Sequence, residues 1–288
     1  MADYAERHWT SRDGLSLFAR DYAGEGSSAR LPVICLHGLT RNAKDFDEVA
    51  PLIALSGRRV LVPDVRGRGR SGRDPNPTNY QPKIYARDVL EMMAAFGIPQ
   101  AVFVGTSMGG IITMTLAAIR SKAVAAAILN DVGPAIAPEG VARIMSYVGS
   151  GGAIRNWDDA ADYVHRTMGV AFPDFVGSDW RRLAERTFRD GEHGPEFDYD
   201  PAIRTQLRQP TKLVTVIAWW LFRRLARKRP TLLIRGALSD VLSRDIAMKM
   251  KRQAPSLRLA EVPNVGHAPL LTEPEAVEAI AEFLASVP

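Results

Sequence analysis

The stretch VGTSMGG, residues 104–110, places one serine between glycines at the end of an apolar run. Its centre, Gly105 to Gly109, fits the pattern G-x-S-x-G, and its surroundings predict a strand, a sharp turn and a helix. In so tight a turn the residues two positions before and after the serine nearly touch, which leaves no room for side chains there. The serine itself takes a strained backbone conformation. This context favours a nucleophile at Ser107 over a flexible turn without function.

The runs around this turn predict a parallel sheet. The segments PVICLHG, RRVLVPD and AVFVGTS are apolar and end in Gly, Asp or Ser, and amphipathic segments at 45–56 and 85–96 lie between them. Strands of this kind that alternate with helices belong to a parallel sheet covered on both faces. The same rhythm resumes at PTLLIRGALSD and LRLAEVP, and Asp13-Gly14 predicts a hairpin near the start of the chain. The predicted fold class is α/β.

The rhythm breaks in the middle of the chain, where no strand–helix–strand unit is visible and aromatic residues recur at helix-compatible intervals. We interpret residues 133–228 as a helical cap inserted into a core that residues 1–132 and 229–288 form. Most aromatic residues of this insertion are expected to pack against one another. Trp219 and Trp220 are the candidates for lining a substrate cavity.

A serine hydroxyl needs a neighbouring base to become a good nucleophile. The chain offers five histidines: His8, His37, His165, His193 and His267. His267, in NVGHAP, follows the last predicted strand and so lies at the carboxyl edge of the sheet, where Ser107 should emerge. Two of the others lie in the insertion, one lies in the first hairpin, and His37 ends a strand where a structural role is expected. His267 is the predicted base.

The base in turn needs a carboxylate that fixes its tautomer and stabilises its positive charge. Asp240, in RGALSD, follows the strand that resumes after the insertion, and the order Ser107, Asp240, His267 is that of nucleophile, acid and base. Asp131 follows the strand after Ser107, lies on the same edge and is the main alternative. Asp245 is a weaker alternative because it is expected to begin a helix. Asp240 is the predicted acid.

Acyl transfer also needs hydrogen-bond donors for the oxyanion that forms. The N–H of Met108, the residue after the serine, is one predicted donor. The N–H of Leu39 is the second, because Gly38 lets the backbone of that loop approach closely. Arg41 follows in the same loop and is a candidate contact for a substrate carboxylate, with a surface position at a helix start as the alternative.

Five segments together resemble the α/β-hydrolase fold family over nearly the whole chain. They are LHGLT, DVRGRGRSG, VGTSMGG, RGALSD and NVGHAP, and they occur in the order found in the family. The resemblance implies an eight-stranded, mostly parallel sheet with a helical cap after strand six. It also implies the triad and the oxyanion donors named above, without a metal or another cofactor. In DVRGRGRSG, we interpret Asp64 and Arg66 as braces for a loop near the active site.

A serine at the nucleophile position separates the chain from relatives that carry another residue there. Haloalkane dehalogenases and epoxide hydrolases carry aspartate, and dienelactone hydrolases carry cysteine. The sequence looks like those of carboxylesterases, enol-lactonases, carbon–carbon bond hydrolases and cofactor-free haloperoxidases. We predict hydrolysis of a carboxylic ester with an apolar or aromatic group, through an acyl-enzyme. Alternatives are a lactone or a carbon–carbon bond as the target of the same residues, and a non-catalytic receptor on this fold.

Composition and charge argue against several other partners. The net charge of the 288-residue chain is +5, but its basic clusters lack interleaved aromatic residues, so a nucleic acid is not expected. With Cys35 as the single cysteine, neither an internal disulfide nor a clustered zinc site is expected. The first residues lack the apolar region of a signal peptide. With a single cysteine in an apolar strand, a cytoplasmic location is the default expectation.

The segment TVIAWWLFRRLARKRP, residues 215–230, is apolar and then basic, a layout that suits an interfacial helix. We expect instead a cap helix that packs over the pocket and leaves its cationic end in water, where basic residues suit a helix C-terminus. The longest apolar stretch, residues 213–222, is too short to cross a bilayer. Membrane association is therefore not expected.

Overall fold

A twisted sheet of eight strands organises the computed structural model, which describes residues 3–25, 30–150 and 154–288. The strands of the described residues are β1 (Ala5–Thr10), β2 (Ser16–Tyr22), β3 (Val33–Leu36), β4 (Val60–Pro63), β5 (Ala101–Thr106), β6 (Val124–Asn130), β7 (Phe188–Gly191), β8 (Gly194–Phe197), β9 (Thr231–Gly236) and β10 (Arg258–Val262). The large sheet has the order β1-β2-β4-β3-β5-β6-β9-β10, and β7 pairs with β8 in a separate hairpin.

The sheet is mostly parallel. β1 pairs with β2 and β2 with β4 in antiparallel fashion, whereas the pairs from β4 through β3, β5, β6 and β9 to β10 are parallel. The predicted hairpin at Asp13-Gly14 joins β1 to β2, and Gly14 has φ +85°, a conformation that favours glycine in tight turns. In the centre of the sheet, β3 and β5 are almost wholly buried, as expected of strands covered on both faces.

Helices cover both faces of this sheet. They are α1 (Val49–Leu55), α2 (Pro82–Ala95), α3 (Met108–Ile119), α4 (Pro138–Tyr147), α5 (Trp157–Met168), α6 (Gly177–Thr187), α7 (Lys212–Ala226), α8 (Arg244–Gln253) and α9 (Pro274–Ala285). Apolar side chains of α2, α3, α7 and α8 form one core with the sheet, and those of α1 and α9 form the other. The fold is therefore the α/β arrangement that the sequence predicts.

The segment between β6 and β9 departs from the strand–helix rhythm, as predicted, but it is not wholly helical. It contains α4 to α7 and also the β7–β8 hairpin, which the sequence interpretation did not include. An apolar cluster that includes Tyr163, Trp180 and Phe188 joins α5, α6 and β7. The aromatic residues of this segment thus serve mainly to pack it together.

Helix α7 lies on the core rather than over a pocket. Its buried residues, Trp219, Phe222, Leu225 and Ala226, belong to the apolar cluster that includes α3 and the sheet. Trp220, one position from Trp219, points away from this contact and is 49% exposed. The division at residues 133–228 remains our proposal for the insertion in sequence, although the end of that segment packs as part of the core.

No helix among the described residues combines the length and apolarity needed to cross a membrane.

Candidate active site

The turn at Ser107 has the strained geometry that its glycines allow. Ser107 has φ 49° and ψ −111°, a conformation that side-chain-bearing residues rarely adopt. A Cβ atom on Gly105 would lie 2.5 Å from the backbone of Gly109, and one on Gly109 would lie 2.0 Å from the carbonyl oxygen of Leu36. Only glycine fits at both positions, and the turn raises the Ser107 side chain above the carboxyl end of β5 at the start of α3.

His267 lies beside this serine. The loop after β10 brings His267 Nε2 to 3.0 Å from Ser107 Oγ, although the two residues are 160 positions apart. The other ring nitrogen, Nδ1, lies 2.8 Å from Oδ2 of Asp131. A carboxylate on Nδ1 fixes that nitrogen as the proton carrier and leaves Nε2 free to accept the serine proton. The structure thus joins Asp131, His267 and Ser107 in one hydrogen-bonded chain.

Asp131 is held in a fully buried position by donors from the neighbouring strand. It follows β6 with φ 51° and is 0% exposed. The N–H of Gly236 donates to its Oδ1 at 2.9 Å, and the hydroxyl of Ser239 donates to its Oδ2 at 2.5 Å. Together with His267, these donors satisfy a carboxylate that would otherwise be costly to bury. The sequence analysis did not single out Ser239.

Asp240 does not take the position predicted for it. Arg143, on α4, donates to its carboxylate from Nε at 2.5 Å and from Nη2 at 2.8 Å. Burial raises the pKa of Asp240, but the hydrogen bond and charge of Arg143 outweigh that effect, so its pKa lies below the usual value. Among the described residues, the carboxylate on His267 belongs to Asp131, the main alternative, and the predicted Asp240–His267 contact is corrected accordingly. Asp245, the other alternative, lies in the first turn of α8 as expected.

The two predicted oxyanion donors flank the serine. Met108 is the first residue of α3, and Leu39 lines the same cavity as Ser107. Within the part of the chain that the structure describes, neither backbone N–H donates a hydrogen bond to another protein group. His37 stabilises the Leu39 loop from beneath, because its Nδ1 lies 2.8 Å from the carbonyl oxygen of Gly38. That carbonyl belongs to the same peptide group as the N–H of Leu39.

His37 is fully buried and acts as a neutral brace. Its Nε2 accepts a hydrogen bond from the N–H of Val65 at 3.0 Å, which leaves Nδ1 to donate to Gly38. Burial lowers the pKa of His37 to about 4, so the ring stays uncharged near neutral pH. The structural role predicted for His37 agrees with these contacts.

The loop DVRGRGRSG lies beneath the oxyanion loop, as its interpretation as a brace requires. Asp64 accepts hydrogen bonds from the N–H groups of Ala43 and Arg70 at 2.7 and 2.9 Å, and burial raises its pKa to about 6. Arg66 is 1% exposed and forms ion pairs with Asp13, Asp74 and Asp88, so it ties this loop to α2 and the first hairpin.

Arg68, between Arg66 and the serine turn in space, is a buried cation that sequence reasoning did not identify. Its Nε donates to the carbonyl oxygen of Leu39 at 3.0 Å, and its Nη2 lies 3.5 Å from Met108 Sδ. It has no carboxylate partner among the described residues, and the rings of Tyr80 and Tyr85 lie under its guanidinium. Arg68 therefore contacts both residues that supply the predicted oxyanion donors. In the sequence, the only local sign of such close packing is that Arg68 stands between Gly67 and Gly69.

A small cleft with a volume of about 70 Å³ opens beside Ser107 and His267, between the sheet edge and the insertion. Apolar side chains from both sides line it: Phe46, Ile144, Met168, Leu183 and Leu270. Arg41 also lines it, but its guanidinium binds Asp45 at 3.0 Å and contacts Thr187 of α6. Trp219 and Trp220, the other predicted substrate contacts, do not reach this cleft, because α7 packs on α3.

Within residues 3–25, 30–150 and 154–288, no group of three or more His, Cys, Asp or Glu side chains is arranged to hold a metal ion. The free thiol of Cys35 is buried in β3. Ser107 and His267 line the cleft together with Leu39, whose backbone N–H is one of the predicted oxyanion donors.

Comparison with known families and structures extends over nearly the full chain. The pattern of the alpha/beta hydrolase family matches residues 33–280. A crystal structure of an alpha/beta hydrolase from Novosphingobium aromaticivorans is 42% identical, with a TM-score of 0.90 and coverage of 99% of both chains.

Two curated relatives have assigned activities. The 3-hydroxybutyrate-oligomer hydrolase of Cupriavidus necator is 34% identical over 279 residues, which cover 94% of this chain and 93% of that protein. The sn-1-specific diacylglycerol lipase ABHD11 of Mus musculus is 24% identical over 279 residues, which cover 91% of this chain and 83% of that protein.

Proposed function

This chain belongs to the alpha/beta hydrolase family, and we propose that it is a serine hydrolase that cleaves carboxylic esters through an acyl-enzyme. The observation that carries the proposal is the chain of contacts Asp131–His267–Ser107, with distances of 2.8 and 3.0 Å, at the wall of the cleft. These three residue types in this order of contact form the arrangement that activates a serine hydroxyl for attack on a carbonyl.

The proposed reaction has two halves. In the first, His267 Nε2 accepts the Ser107 proton while Oγ bonds to the acyl carbon, and the N–H groups of Leu39 and Met108 bind the oxyanion. The imidazolium then donates its proton to the leaving alcohol as the ester bond breaks. In the second half, His267 takes a proton from water as the water oxygen bonds to the acyl carbon, and it then returns that proton to Oγ as the acyl–Oγ bond breaks and the free acid leaves. Asp131 stabilises the imidazolium in both halves.

The contacts of Arg68 and His37 support a prepared oxyanion site. His37 fixes the peptide group that carries the N–H of Leu39, and Arg68 binds the carbonyl of Leu39 while packing on Met108. Electrostatic stabilisation of this kind depends on donors that do not need to reorganise during the reaction. We assign both residues a positioning role, since neither lines the cleft.

The charges of the cleft favour a neutral group next to the reacting bond. The Arg41 guanidinium is bound to Asp45 on two nitrogens, so it is not available for a substrate carboxylate. The other lining groups are mostly apolar side chains, with Thr40, Thr106 and Tyr147 as neutral polar ones. This favours an ester whose groups next to the scissile bond are apolar, with any substrate carboxylate outside the cleft.

We propose short hydroxyacid oligoesters as the first substrate class to examine. The proposal draws on the relative named as a 3-hydroxybutyrate-oligomer hydrolase, which matches almost the whole chain. In such an oligomer the bond to be cleaved is an ester between short aliphatic units, which suits a small apolar cleft. Lactones remain the alternative target, because the same residues would open them by the same steps.

A substrate panel tests this proposal. It contains p-nitrophenyl butyrate, linear dimers and trimers of 3-hydroxybutyrate, a simple lactone and a dienoate carbon–carbon substrate. We expect the wild type to hydrolyse the first two classes. Ser107→Ala should lower kcat/KM for these esters at least about a thousandfold. The melting temperature of the variant should equal that of the wild type, which shows that the loss is not due to unfolding. Ester turnover that survives in Ser107→Ala would overturn the assignment. Tight product retention after one turnover would instead support the receptor alternative.

A further inference from the structure

Helix α7 exposes an apolar stripe to solvent. Five large side chains on its outer side are between 47% and 68% exposed: Leu213, Val214, Val216, Ile217 and Trp220. Their spacing of three and four positions places them on one face over two turns of the helix. The opposite face, which includes Trp219 and Phe222, is buried against α3 and the core. Contiguous exposed apolar surface of this kind marks an interaction site more often than an isolated apolar residue does.

The stretch of chain that contains α7 and its flanks is strongly basic. Residues 201–229 contain eight Lys or Arg and no Asp or Glu, whereas the rest of the chain has more acidic than basic residues. The eight are Arg204, Arg208, Lys212, Arg223, Arg224, Arg227, Lys228 and Arg229. Within the described part of the chain, none of them forms an ion pair with a carboxylate. The net positive charge of the chain therefore comes from this segment, since residues 201–229 carry eight positive charges while the rest of the chain is slightly acidic.

The apolar stripe and the positive charge share one surface. Helical spacing places Arg224, Arg227 and Lys228 along the continuation of the stripe, one to two turns beyond Trp220. Arg227 and Lys228 are exposed, and the Arg224 guanidinium lies 5.5 Å from the centre of the Trp220 ring. Arg208 and Lys212 are exposed just before the stripe begins. An apolar strip with an outward tryptophan and basic flanks is the pattern of a helix that lies in a membrane interface.

The sequence analysis did not expect membrane association, because it placed this helix over the pocket. Since α7 instead turns its apolar stripe to solvent, we propose that it docks the protein on an anionic lipid bilayer, with the stripe among the acyl chains and the basic residues on the headgroups. A nucleic acid would match the charge but not the exposed Leu, Val and Ile side chains. A second copy of this chain would match the apolar stripe but would bring two sets of eight unpaired cations together. The bilayer is the partner that matches both properties.

The docked orientation would bring the lipid close to the catalytic cleft. Gln209 Nε2, just before α7, lies 3.6 Å from Met145 Sδ on α4. The neighbouring residues Ile144 and Tyr147 of α4 line the cleft. This extends the proposed function by placing the enzyme where apolar esters partition, but the docking surface itself does not depend on Ser107 or His267.

Vesicle co-sedimentation of the full chain tests the proposal. One set of vesicles is phosphatidylcholine alone and the other contains about 30 mol% phosphatidylserine. We expect binding to the anionic set at about 0.05 M salt and release at about 0.5 M, where charges are screened beyond a few ångströms. Ser107→Ala should bind as the wild type does, so failure of the proposed function and failure of docking can be told apart.

Matched variants identify the surface. Val216→Ser/Ile217→Ser/Trp220→Ser should lower the partition coefficient about tenfold or more. Its control, Leu52→Ser/Leu55→Ser, removes equally exposed apolar side chains from α1 and should change binding less than about twofold. Arg208→Gln/Lys212→Gln/Lys228→Gln should lower binding to the anionic vesicles about tenfold at low salt. Lys83→Gln/Arg120→Gln/Lys122→Gln is the control for the same change in net charge.

Four results would overturn the proposal. The first is that the protein does not bind anionic vesicles, and the second is that the α7 variants and their controls lose vesicle binding equally. The third is that the protein forms a dimer in solution which the apolar α7 variant dissociates. The fourth is stronger binding to RNA or DNA than to vesicles in the same buffer. Circular dichroism of each variant confirms that a loss of binding reflects the surface and not unfolding.

Discussion

Two carboxylates follow adjacent strands at the same edge of the sheet, yet their surroundings are opposite. Asp131, after β6, is 0% exposed and accepts hydrogen bonds from Gly236, Ser239 and His267. Asp240, after β9, is partly exposed and pairs with Arg143 from α4. The first belongs to the chemical chain that ends at Ser107, and the second joins the insertion to the core. Donors and burial, rather than position along the sheet edge, decide which carboxylate reaches the imidazole.

The largest expected effect separates these two carboxylates directly. Asp131→Asn should lower kcat about 1,000- to 10,000-fold, because the amide presents the wrong partner to His267 and no longer stabilises the imidazolium. Asp240→Asn should change kcat less than about threefold, because its contact is with Arg143. Steady-state kinetics on p-nitrophenyl butyrate compares the two variants. Equal losses in both, or a larger loss in Asp240→Asn, would contradict the assignment.

The sequence alone could not decide between them. Both residues end parallel strands, so the edge that carries the site was predictable from apolar runs that stop at polar residues. The choice depended on the positive φ of Asp131 and on the approach of Arg143 from an insertion about 100 residues away. Such long-range contacts leave no local pattern. Ser107 was predictable because G-x-S-x-G is a local requirement of one turn, and β3, β5 and β9 because their apolar runs are continuous.

The insertion was less predictable than the core. Its helices follow amphipathic spacing, but β7 and β8 have four residues each and charged side chains, so they lack the apolar alternation of a half-buried strand. The turn between them, Glu192-His193, carries no glycine, although Gly191 and Gly194 flank it. The position of α7 on the core could not be predicted for a different reason. An apolar helix gives no sign of which of its faces a neighbouring element will cover.

A second variant tests how Asp131 is held. Ser239→Ala removes the 2.5 Å hydrogen bond to Oδ2 of Asp131 and should lower kcat about tenfold, as expected for a hydrogen bond to a charged group. Ser243, four positions later, caps α8 and serves as the control. Ser243→Ala should lower the free energy of unfolding by about 1 kcal/mol with kcat unchanged. A normal kcat in Ser239→Ala would show that Asp131 needs no such support.

A smaller effect on activity is expected when the contact between Arg143 and Asp240 is broken. Arg143→Gln breaks the link between α4 and Asp240 and should raise KM about threefold, because Ile144 and Tyr147 of the same helix line the cleft. The value of kcat should change less than about twofold. A double-mutant cycle with Asp240→Asn checks the mechanism, since the double variant should resemble either single one. Additive effects would mean that the two residues act separately.

The smallest effect concerns stability and pH. The pKa of Asp240 lies below the usual carboxyl value because Arg143 outweighs the effect of burial. The Arg143–Asp240 pair should therefore contribute at most about 1 kcal/mol above pH 4, the unfolded carboxyl range, and lose it as pH falls through the folded pKa. Urea unfolding of the wild type and Asp240→Asn at pH 7 and pH 3 measures this difference. A stability gap that stays constant down to pH 3 would contradict it.

Labelling with a fluorophosphonate, mapped by mass spectrometry, tests most directly whether Ser107, His267 and Asp131 form the reactive centre. We expect one adduct, on Ser107 of the wild type, and none in Ser107→Ala. The labelling rate should fall steeply in His267→Ala and Asp131→Asn but stay near the wild-type rate in Asp240→Asn. An adduct on another residue, undiminished labelling of Ser107→Ala, or a slow rate confined to Asp240→Asn would contradict the account.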